Sequence, residues 1–217
     1  QAVGSAVTGL APGDEVFGAA AGAFAQYACA NARSVVPIPH GVSAIDAATV
    51  AIAGTTALQA LRDKGRVQAG HKVLVNGASG GVGTYAVQLA KAMGATVTGV
   101  CSTANVQLVR SLGADHVIDY TTGEGLSGGP YDVIIDSVGG QSLRARRAAL
   151  VPGGRCVIVG GPKKGRVLGP LGPMVRAVLS SVFSKRKFVP FMAAVNAADL
   201  EVLAGHLASG AVRPVVE

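Results

Sequence analysis

The stretch Lys72 to Gly83, with the sequence KVLVNGASGGVG, decides the fold class of this chain. It begins with a β-branched apolar run typical of a strand, passes through a glycine cluster and continues into a helical pattern over Thr84 to Met93. The glycines at every third position are Gly77, Gly80 and Gly83. This spacing suits a tight turn, close approach of the backbone to a pyrophosphate and close packing of a helix on a strand. The stretch therefore predicts a dinucleotide-binding loop.

The same loop contains a competing pattern, because Gly77 to Gly81 also satisfies G-x-S-x-G, the nucleophile elbow of serine hydrolases. Ser79 would then be the nucleophile, and Asp136 and His206 follow in the chain order of such a triad. The pattern around His206 instead predicts a capped amphipathic helix, with the histidine on the side away from its leucines. The triad therefore lacks its base, and a serine hydrolase stays a remote alternative. We interpret Ser79 as a small residue that allows a phosphate to approach.

The composition describes a globular, turn-rich chain. Its 217 residues are 49% hydrophobic and include 31 glycines without a collagen-like period, so it can bury a sizeable core. The cysteines at 29, 101 and 156 are odd in number and form no C-x-x-C motif, which predicts neither a disulfide framework nor a thiolate zinc site. We expect a reducing, cytoplasmic location.

The net charge of +7 is concentrated in three clusters: Arg144 with Arg146 and Arg147, Lys163 with Lys164 and Arg166, and Lys185 to Lys187. Such clusters usually form a solvated face. Aromatic residues make up only 4% of the chain and do not alternate with these runs, so we expect no nucleic-acid partner. The longest uncharged stretch, Ala47 to Leu61, is short for a bilayer and contains Gly54, so we also expect no membrane span.

The order of predicted elements gives the architecture. Residues 1–39 predict a small β segment, and Asp46 to Leu61 predict one or two helices. Six strands are then predicted: Lys72–Asn76, Thr96–Cys101, His116–Asp119, Asp132–Asp136, Arg155–Val159 and Phe188–Met192. Helices are predicted at Gly83–Met93, Asn105–Leu112, Gln141–Leu150 and Pro173–Phe183, and a last one is capped by Asn196, with Leu200, Leu203 and Leu207 inward. This alternation predicts an α/β fold with a doubly wound, parallel, six-stranded Rossmann sheet.

The end of the second predicted strand bears on the choice of dinucleotide. An Asp or Glu there would bind the ribose 2′-hydroxyl of NAD and repel a 2′-phosphate. The residues that follow Cys101 are instead Ser102, Thr103, Ala104 and Asn105. Their hydroxyl and amide groups can donate hydrogen bonds to a 2′-phosphate, so the predicted cofactor is NADP(H). The same residues can also cap the next helix.

Eight segments carry a family resemblance: GDEVFG (13–18), GAFAQYA (22–28), GTTALQAL (54–61), VNGASGGVG (75–83), LGADHVIDY (112–120), DVIIDSVGG (132–140), GGRCVIVGG (153–161) and GAVRPVVE (210–217). In this order and spacing they resemble the zeta-crystallin-like quinone oxidoreductases of the medium-chain dehydrogenase/reductase superfamily. The resemblance covers nearly the whole chain. The loop departs from the usual G-x-G-x-x-G pattern, since Ala78 replaces the first of those glycines.

The resemblance implies a GroES-like catalytic domain paired with a Rossmann domain that binds NADPH, and metal-free reduction of quinones, activated alkenes or carbonyls. It assigns residues 1–45 to part of the GroES-like domain, 46–210 to the NADP-binding domain and 211–217 to the start of the return to the first domain. The implied pyrophosphate-binding residues are Gly77, Ala78, Ser79, Gly80, Gly81, Val82 and Gly83. The other implied residues are Ser102, Thr103 and Asn105 at the 2′-phosphate, Tyr120 at the adenosine, and Thr56, Val138 and Gly160 at the nicotinamide half.

Two further alternatives stay open. Zinc-dependent alcohol dehydrogenases of the same superfamily need clustered cysteines, whereas only Cys29 lies between Gly18 and Pro39, and Ala51 to Thr56 contain none. The four histidines show no ligand spacing, so we expect no metal. The second alternative is a non-catalytic protein that binds NADPH in a structural or regulatory role.

Compared with the family, the chain lacks the first barrel strands and the C-terminal return, so we expect a fragment. Substrate contacts in the family come largely from the missing part, so no catalytic residue is assigned. The expected substrate is a small quinone or enone, and we expect the chain to bind NADPH more readily than it reduces a quinone. The last predicted strand, Phe188–Met192, lies at a sheet edge and predicts a homodimer.

Overall fold

The computed structural model describes residues 2–123, 125–159 and 185–216. The strands in these ranges are β1 (Val16–Gly18), β2 (Val35–Pro37), β3 (Lys72–Asn76), β4 (Thr96–Cys101), β5 (His116–Asp119), β6 (Tyr131–Asp136), β7 (Leu150–Ile158) and β8 (Lys187–Pro190). The α-helices are α1 (Ala44–Gln59), α2 (Gly81–Ala92), α3 (Val106–Ser111), α4 (Leu143–Ala148) and α5 (Ala197–Ala208). The predicted helix Pro173–Phe183 and the predicted site residue Gly160 lie outside the described residues.

The main sheet has six parallel strands in the order β5-β4-β3-β6-β7-β8. This order is that of a doubly wound dinucleotide-binding sheet, with the switch of direction between β3 and β6. Parallel strands covered on both faces are continuous apolar runs, and Val73, Leu74 and Val75 in the central strand are fully buried. The predicted fold class is confirmed.

Strand boundaries match the prediction where glycines or polar residues delimit an apolar run. The bounds of β3, β4 and β5 are those predicted, whereas β7 begins at Leu150 rather than Arg155. The pairing of β6 with β7 shifts register between Tyr131↔Leu150 and Val133↔Arg155. The Pro152-Gly153-Gly154 sequence is therefore accommodated as an irregularity within the strand.

The first helix is longer than the uncharged run that predicted it. After α1 the chain continues through a π-helical segment, Ala60–Gly65, and ends where Arg66 adopts a left-handed conformation with φ 56°. Together these 22 residues, of mean hydropathy 1.3, are long and apolar enough for a bilayer by length and composition alone. Because 56% of that window is buried inside the protein, a core helix explains it equally well. The expected absence of a membrane span stays a prediction.

Helix α2 is buried on all sides in its central turns. All residues from 83 to 90 are buried, including the polar Thr84 and Gln88. The helix contacts β3, β4 and the π-helical segment, which leaves it no solvated face in its central turns. Its position behind the glycine loop is therefore fixed by packing all around.

The chain divides into two compact units, Gln1–Thr55 with Ala193–Glu217, and Thr56–Met192. The first unit contains the antiparallel pair β1–β2, with α5 in contact with β2. Asn196 caps α5 as predicted, and its side-chain amide also donates to the buried Asp199 at 2.8 Å. The second unit contains the whole six-stranded sheet. The domain boundaries predicted from the family stay predictions.

Candidate functional site

A cavity of about 700 Å³ opens at the carboxyl ends of the central strands of the sheet. Its wall includes Asn76 from β3, Cys101 from β4 and the loops that follow β3, β4, β5 and β6. In doubly wound folds the ligand binds at this edge, where the strand order reverses. The volume is within the range of pockets that hold cofactors. The cavity is therefore the candidate site.

The glycine loop after β3 has a shape that only glycine permits at two positions. Gly77 has φ +85°, and its N–H and that of Ala78 both donate to the Val100 carbonyl, at 3.1 and 2.9 Å. A Cβ at Gly83 would lie 2.0 Å from the Gly77 carbonyl oxygen. The loop is thus tied to β4 at one end and pressed against the start of α2 at the other.

The start of α2 presents backbone donors to the cavity. Gly80 is the N-cap, and the N–H groups of Gly81, Val82 and Gly83 are in the first turn, where a helix provides no acceptor. No acidic side chain is present in that turn, so the partial positive charge of the helix end is not neutralised there. All three residues line the cavity. This arrangement fits the pyrophosphate of a dinucleotide.

The loop after β6, residues 137–140, forms the opposite wall and is held by a buried carboxylate. Asp136 is 1% exposed, and its Oδ1 accepts hydrogen bonds from Asn76 Nδ2 at 2.8 Å and from the Gly139 N–H at 2.9 Å. Arg146 Nε lies 3.0 Å from Oδ2 as an ion pair, although its N–H is not aligned for a hydrogen bond. The charge of Asp136 is therefore compensated, and its lone pairs fix the loop.

The two loops meet at Val138. A Cβ added to Gly77 would lie 2.5 Å from Val138 Cγ2, so the first loop must have glycine where the second one crosses it. Val138 is nevertheless 57% exposed and lines the cavity. It provides an apolar surface between the two walls.

Neutral polar groups form the end of the cavity near β4 and β5. Ser102 and Asn105 line it, with Asn105 Nδ2 3.3 Å from Ser102 Oγ. The Thr103 hydroxyl donates instead to Asp119 Oδ2 at 2.6 Å, and Thr103 does not line the cavity. Hydrogen bonds from Thr103 and Thr121 lower the pKa of Asp119, so this carboxylate is charged at neutral pH.

Comparison with known proteins agrees with this geometry. The family model described as "Zinc-binding dehydrogenase" matches residues 81–194, just over half of the chain. This chain belongs to that family. The family forms part of the medium-chain dehydrogenase/reductase superfamily, as the resemblance implied, and such oxidoreductases use a nicotinamide cofactor.

Similar proteins include quinone and enoyl reductases. This dehydrogenase-family chain is 35% identical to the "Chloroplast envelope quinone oxidoreductase homolog" of Arabidopsis thaliana, over 99% of its own length and 68% of the relative's. It is 43% identical to "Trans-enoyl reductase pgmF" of Aspergillus terreus (strain NIH 2624 / FGSC A1156), over 62% of its length and 40% of the relative's. The solved quinone oxidoreductase from Coxiella burnetii is 29% identical, with a TM-score of 0.85, over 99% of this chain and 67% of that one. The chain thus spans between two fifths and two thirds of these proteins.

Ten of the fourteen predicted site residues line the one cavity: Gly77, Ser79, Gly80, Gly81, Val82, Gly83, Ser102, Asn105, Tyr120 and Val138. Three of the other four do not: Thr56 and Ala78 are buried, and Thr103 bonds Asp119. The fourth, Gly160, lies outside the described residues. That these residues bind a cofactor stays a prediction.

Seven lining residues were not predicted from the sequence: Asn76, Val100, Cys101, Ser137, Gly139, Gly140 and Gln141. Their shared signal is position, since each lies at or just after the carboxyl end of a central strand. Once β3 and β6 were recognised as the strands on either side of the switch, Ser137 to Gln141 could have been assigned to the crevice. The sequence contains no comparable signal that Asp136 holds the loop 137–140 in place.

Cys101 and Cys156, the cysteines of the unit that contains the six-stranded sheet, are poor nucleophiles. Burial, and then the charge of Asp119, raise the pKa of Cys101, which lines the cavity. Burial, and then the charge of Asp136, raise the pKa of Cys156 to about 12, against the opposing effect of Arg146. Neither thiol is a thiolate at neutral pH, so a covalent thiol mechanism has no support here.

Two other predicted alternatives can be checked against the described residues. No histidine lines the cavity, and no hydrogen bond joins Ser79 to one, so the elbow pattern lacks a base in the part of the chain that the structure describes. In the same residues, no group of three or more His, Cys, Asp or Glu is placed to hold a metal ion. Metal independence stays a prediction.

Proposed function

We propose that this chain is the dinucleotide-binding part of a reductase that transfers hydride from NADPH to a quinone or to an activated alkene or carbonyl. The observation that carries the proposal is the cavity at the sheet switch point, with the N-terminus of α2 on one wall and the loop held by Asp136 on the other. The acceptor class comes from the similar proteins, which are named quinone oxidoreductases and a trans-enoyl reductase.

When bound, the nicotinamide dinucleotide supplies the hydride. The backbone N–H groups of Gly81, Val82 and Gly83 would hold its pyrophosphate, so no side-chain cation is needed there. Ser102 and Asn105 would face the adenosine ribose, and Tyr120 would border the adenine. Val138, between the two walls, would pack against the nicotinamide half and exclude water from it. These contacts orient the donor, which is the main task of the protein in hydride transfer.

The lining residues include no Asp, Glu, His, Lys or Arg among those that the structure describes. The described part of the chain therefore places no strong general acid in the cavity. Hydride transfer to a quinone or enone produces a phenolate or enolate, and we propose that this anion takes its proton from water. No catalytic residue is assigned.

The proposed site is tested by titrating NADPH into the chain while its unfolding temperature is followed. Ligand at 100 times its Kd should stabilise the native state by about 2.7 kcal/mol. The matched variant Gly81→Asp places a carboxylate at an exposed position in the first turn of α2. It should preserve or raise the stability of the free protein, because the charge favours the helix, yet abolish ligand stabilisation by repelling a pyrophosphate.

The control Gly81→Asn has the same size without the charge and should retain most of the binding. If neither NADPH nor NADH stabilises the chain, the proposed function is wrong. Acceptor use is then tested by NADPH oxidation with a panel of quinones and enones. Binding without turnover on any acceptor would favour a non-catalytic NADPH-binding role.

We also propose a homodimer formed through the edge of the sheet. Strand β8 is the last strand in the sheet order, and Met192, just after it, is 94% exposed. An edge strand offers backbone groups for pairing, and an exposed apolar side chain beside it favours such a contact. Sedimentation equilibrium should give twice the monomer mass, and replacement of Met192 by Lys should shift the equilibrium toward monomer. A wild-type monomer at high concentration would contradict the proposal.

A further inference from the structure

The end of the cavity near β4 and β5 has an unexpected charge balance for a 2′-phosphate subsite. Its neutral donors are the Ser102 hydroxyl and the Asn105 amide. No Lys, Arg or His lines the cavity among the described residues. A 2′-phosphate carries nearly two negative charges, and proteins normally balance such a group with Arg or Lys.

A carboxylate lies beside this end of the cavity. Asp119 is the register partner of Cys101 on the neighbouring parallel strand, and Cys101 is part of the cavity wall. Three hydrogen bonds hold the carboxylate: from Thr103 Oγ1 at 2.6 Å, and from the Thr121 N–H and Oγ1 at 2.9 and 2.7 Å. The donors belong to the segments that follow β4 and β5, so the ends of these two strands fix the position of the Asp119 carboxylate.

The field of this carboxylate reaches the cavity wall. The charge of Asp119 is the second cause, after burial, that raises the pKa of Cys101. One of the three hydrogen bonds to Asp119 occupies the Thr103 hydroxyl, which was predicted to face the 2′-phosphate. One predicted donor is thus removed from the subsite, and a negative charge lies behind it.

Resting on the proposed dinucleotide site, we infer that Asp119 is a specificity-determining residue that disfavours the 2′-phosphate of NADPH relative to the 2′-hydroxyl of NADH. It acts through space and does not touch the ligand. Thr103 and Thr121 are the positioning residues that hold it in place. The absence of an acidic residue at the end of β4 predicted a preference for NADP(H). With Asp119 beside the subsite, the chain accepts NADH more readily than that prediction implies.

The test measures the ratio of the Kd of NADPH to the Kd of NADH by calorimetry at pH 7.5 and low salt. Asp119→Asn keeps the size and one of the two acceptor oxygens but removes the charge, so the ratio should fall by about fivefold, with the Kd of NADH changed less than twofold. Asp119→Glu retains the charge and should keep the wild-type ratio. A fall of at least threefold in Asp119→Asn supports the inference, and a smaller change overturns it.

The matched control is Asp115→Asn. Asp115 immediately precedes β5 and bonds Lys91 at 2.8 Å. The control variant removes the same charge as Asp119→Asn, but about 13 Å away along the strand. Its ratio should match that of the wild type. An equal fall in the control would show a general charge effect and overturn the role of Asp119.

Salt dependence of the wild type provides a measurement that needs no variant. If a carboxylate opposes the 2′-phosphate, screening relieves the repulsion and the ratio falls as salt rises from 20 to 300 mM. If a cation dominated the subsite, the ratio would rise, and that result would overturn the inference. Failure of both dinucleotides to bind would instead refute the proposed function itself.

Discussion

The two loops that border the cavity are fixed in opposite ways. The loop 77–83 is fixed by its backbone, since Gly77 has a positive φ and Gly83 has no space for a Cβ. The loop 137–140 is fixed by side chains, because Asp136 holds the Gly139 N–H and is neutralised by Arg146. The first loop is encoded by adjacent glycines, whereas the second depends on a contact that the fold creates. Substitutions should therefore fail for steric reasons in one loop and for electrostatic reasons in the other.

The largest effect is expected at Gly83. In Gly83→Ala the new Cβ would lie 2.0 Å from the Gly77 carbonyl oxygen, a backbone atom that cannot move without displacing the loop. We expect the free energy of unfolding to fall by about 4 kcal/mol and NADPH binding to be lost. Urea unfolding and calorimetry measure the two quantities.

Gly80→Ala is the matched control in the same loop. Its Cβ would lie 3.4 Å from that oxygen, and its φ of −81° suits any residue. Its unfolding free energy should change by less than about 1 kcal/mol. Equal losses in the two variants would show that the loop is not held by this close contact.

A smaller effect is expected at Arg146, which reaches the surface with 14% of its side chain exposed. Arg146→Met keeps much of the volume but leaves the buried Asp136 without its counter-charge. Stability should fall by about 3 kcal/mol, the usual cost of removing one partner of a buried pair. Arg144→Met, an exposed position in the same helix, should change stability by less than about 0.5 kcal/mol.

The double variant Asp136→Asn with Arg146→Met should recover part of that loss, since no uncompensated charge remains. Unfolding curves of the wild type, the two single variants and the double variant form a double-mutant cycle. The cycle measures the coupling energy between Asp136 and Arg146. A coupling energy near zero would show that the ion pair does not stabilise the second loop.

The sequence predicted the part of the site that depends on local geometry. The runs around β3, β4 and β5 have clear boundaries, and the glycine spacing in 77–83 reflects a backbone shape that other residues cannot adopt. The position of the cavity then follows from the strand order. These features could be predicted because the residues that cause them are close together in the sequence.

The rest depends on contacts between residues far apart in the chain. Thr103 was assigned to a phosphate by its residue type, but its hydroxyl bonds Asp119, sixteen residues away and on the next strand. The π-helical extension of α1 and the buried start of β7 also depend on packing against the sheet. Periodicity does not reveal which side chain an Asp or Thr meets after folding.

The smallest effects are expected in thiol reactivity, where Cys101 reports on the cavity wall and Cys156 on the packing behind Asp136. At pH 8, iodoacetamide should label the exposed Cys29 first, and Cys101 more slowly because it is buried and its pKa is raised. Cys156, with a pKa of about 12, should react only on unfolding. Labelling of Cys101 should rise with pH, as its thiolate fraction grows, and fall when NADPH fills the cavity.

Mass spectrometry of digests gives these rates. Labelling of Cys101 that is unchanged by saturating NADPH would contradict its position in the ligand cavity. Labelling of Cys156 in the native protein would contradict the tight packing behind Asp136.

Hydrogen exchange with and without NADPH tests most directly that both loops hold one dinucleotide. We expect slower exchange of backbone amides in two separate segments, 79–83 and 137–141, with little change at the opposite end of the sheet near Gly153. Protection of only one segment would show that the two walls do not share a ligand. Protection of neither segment at saturating NADPH would contradict the central claim.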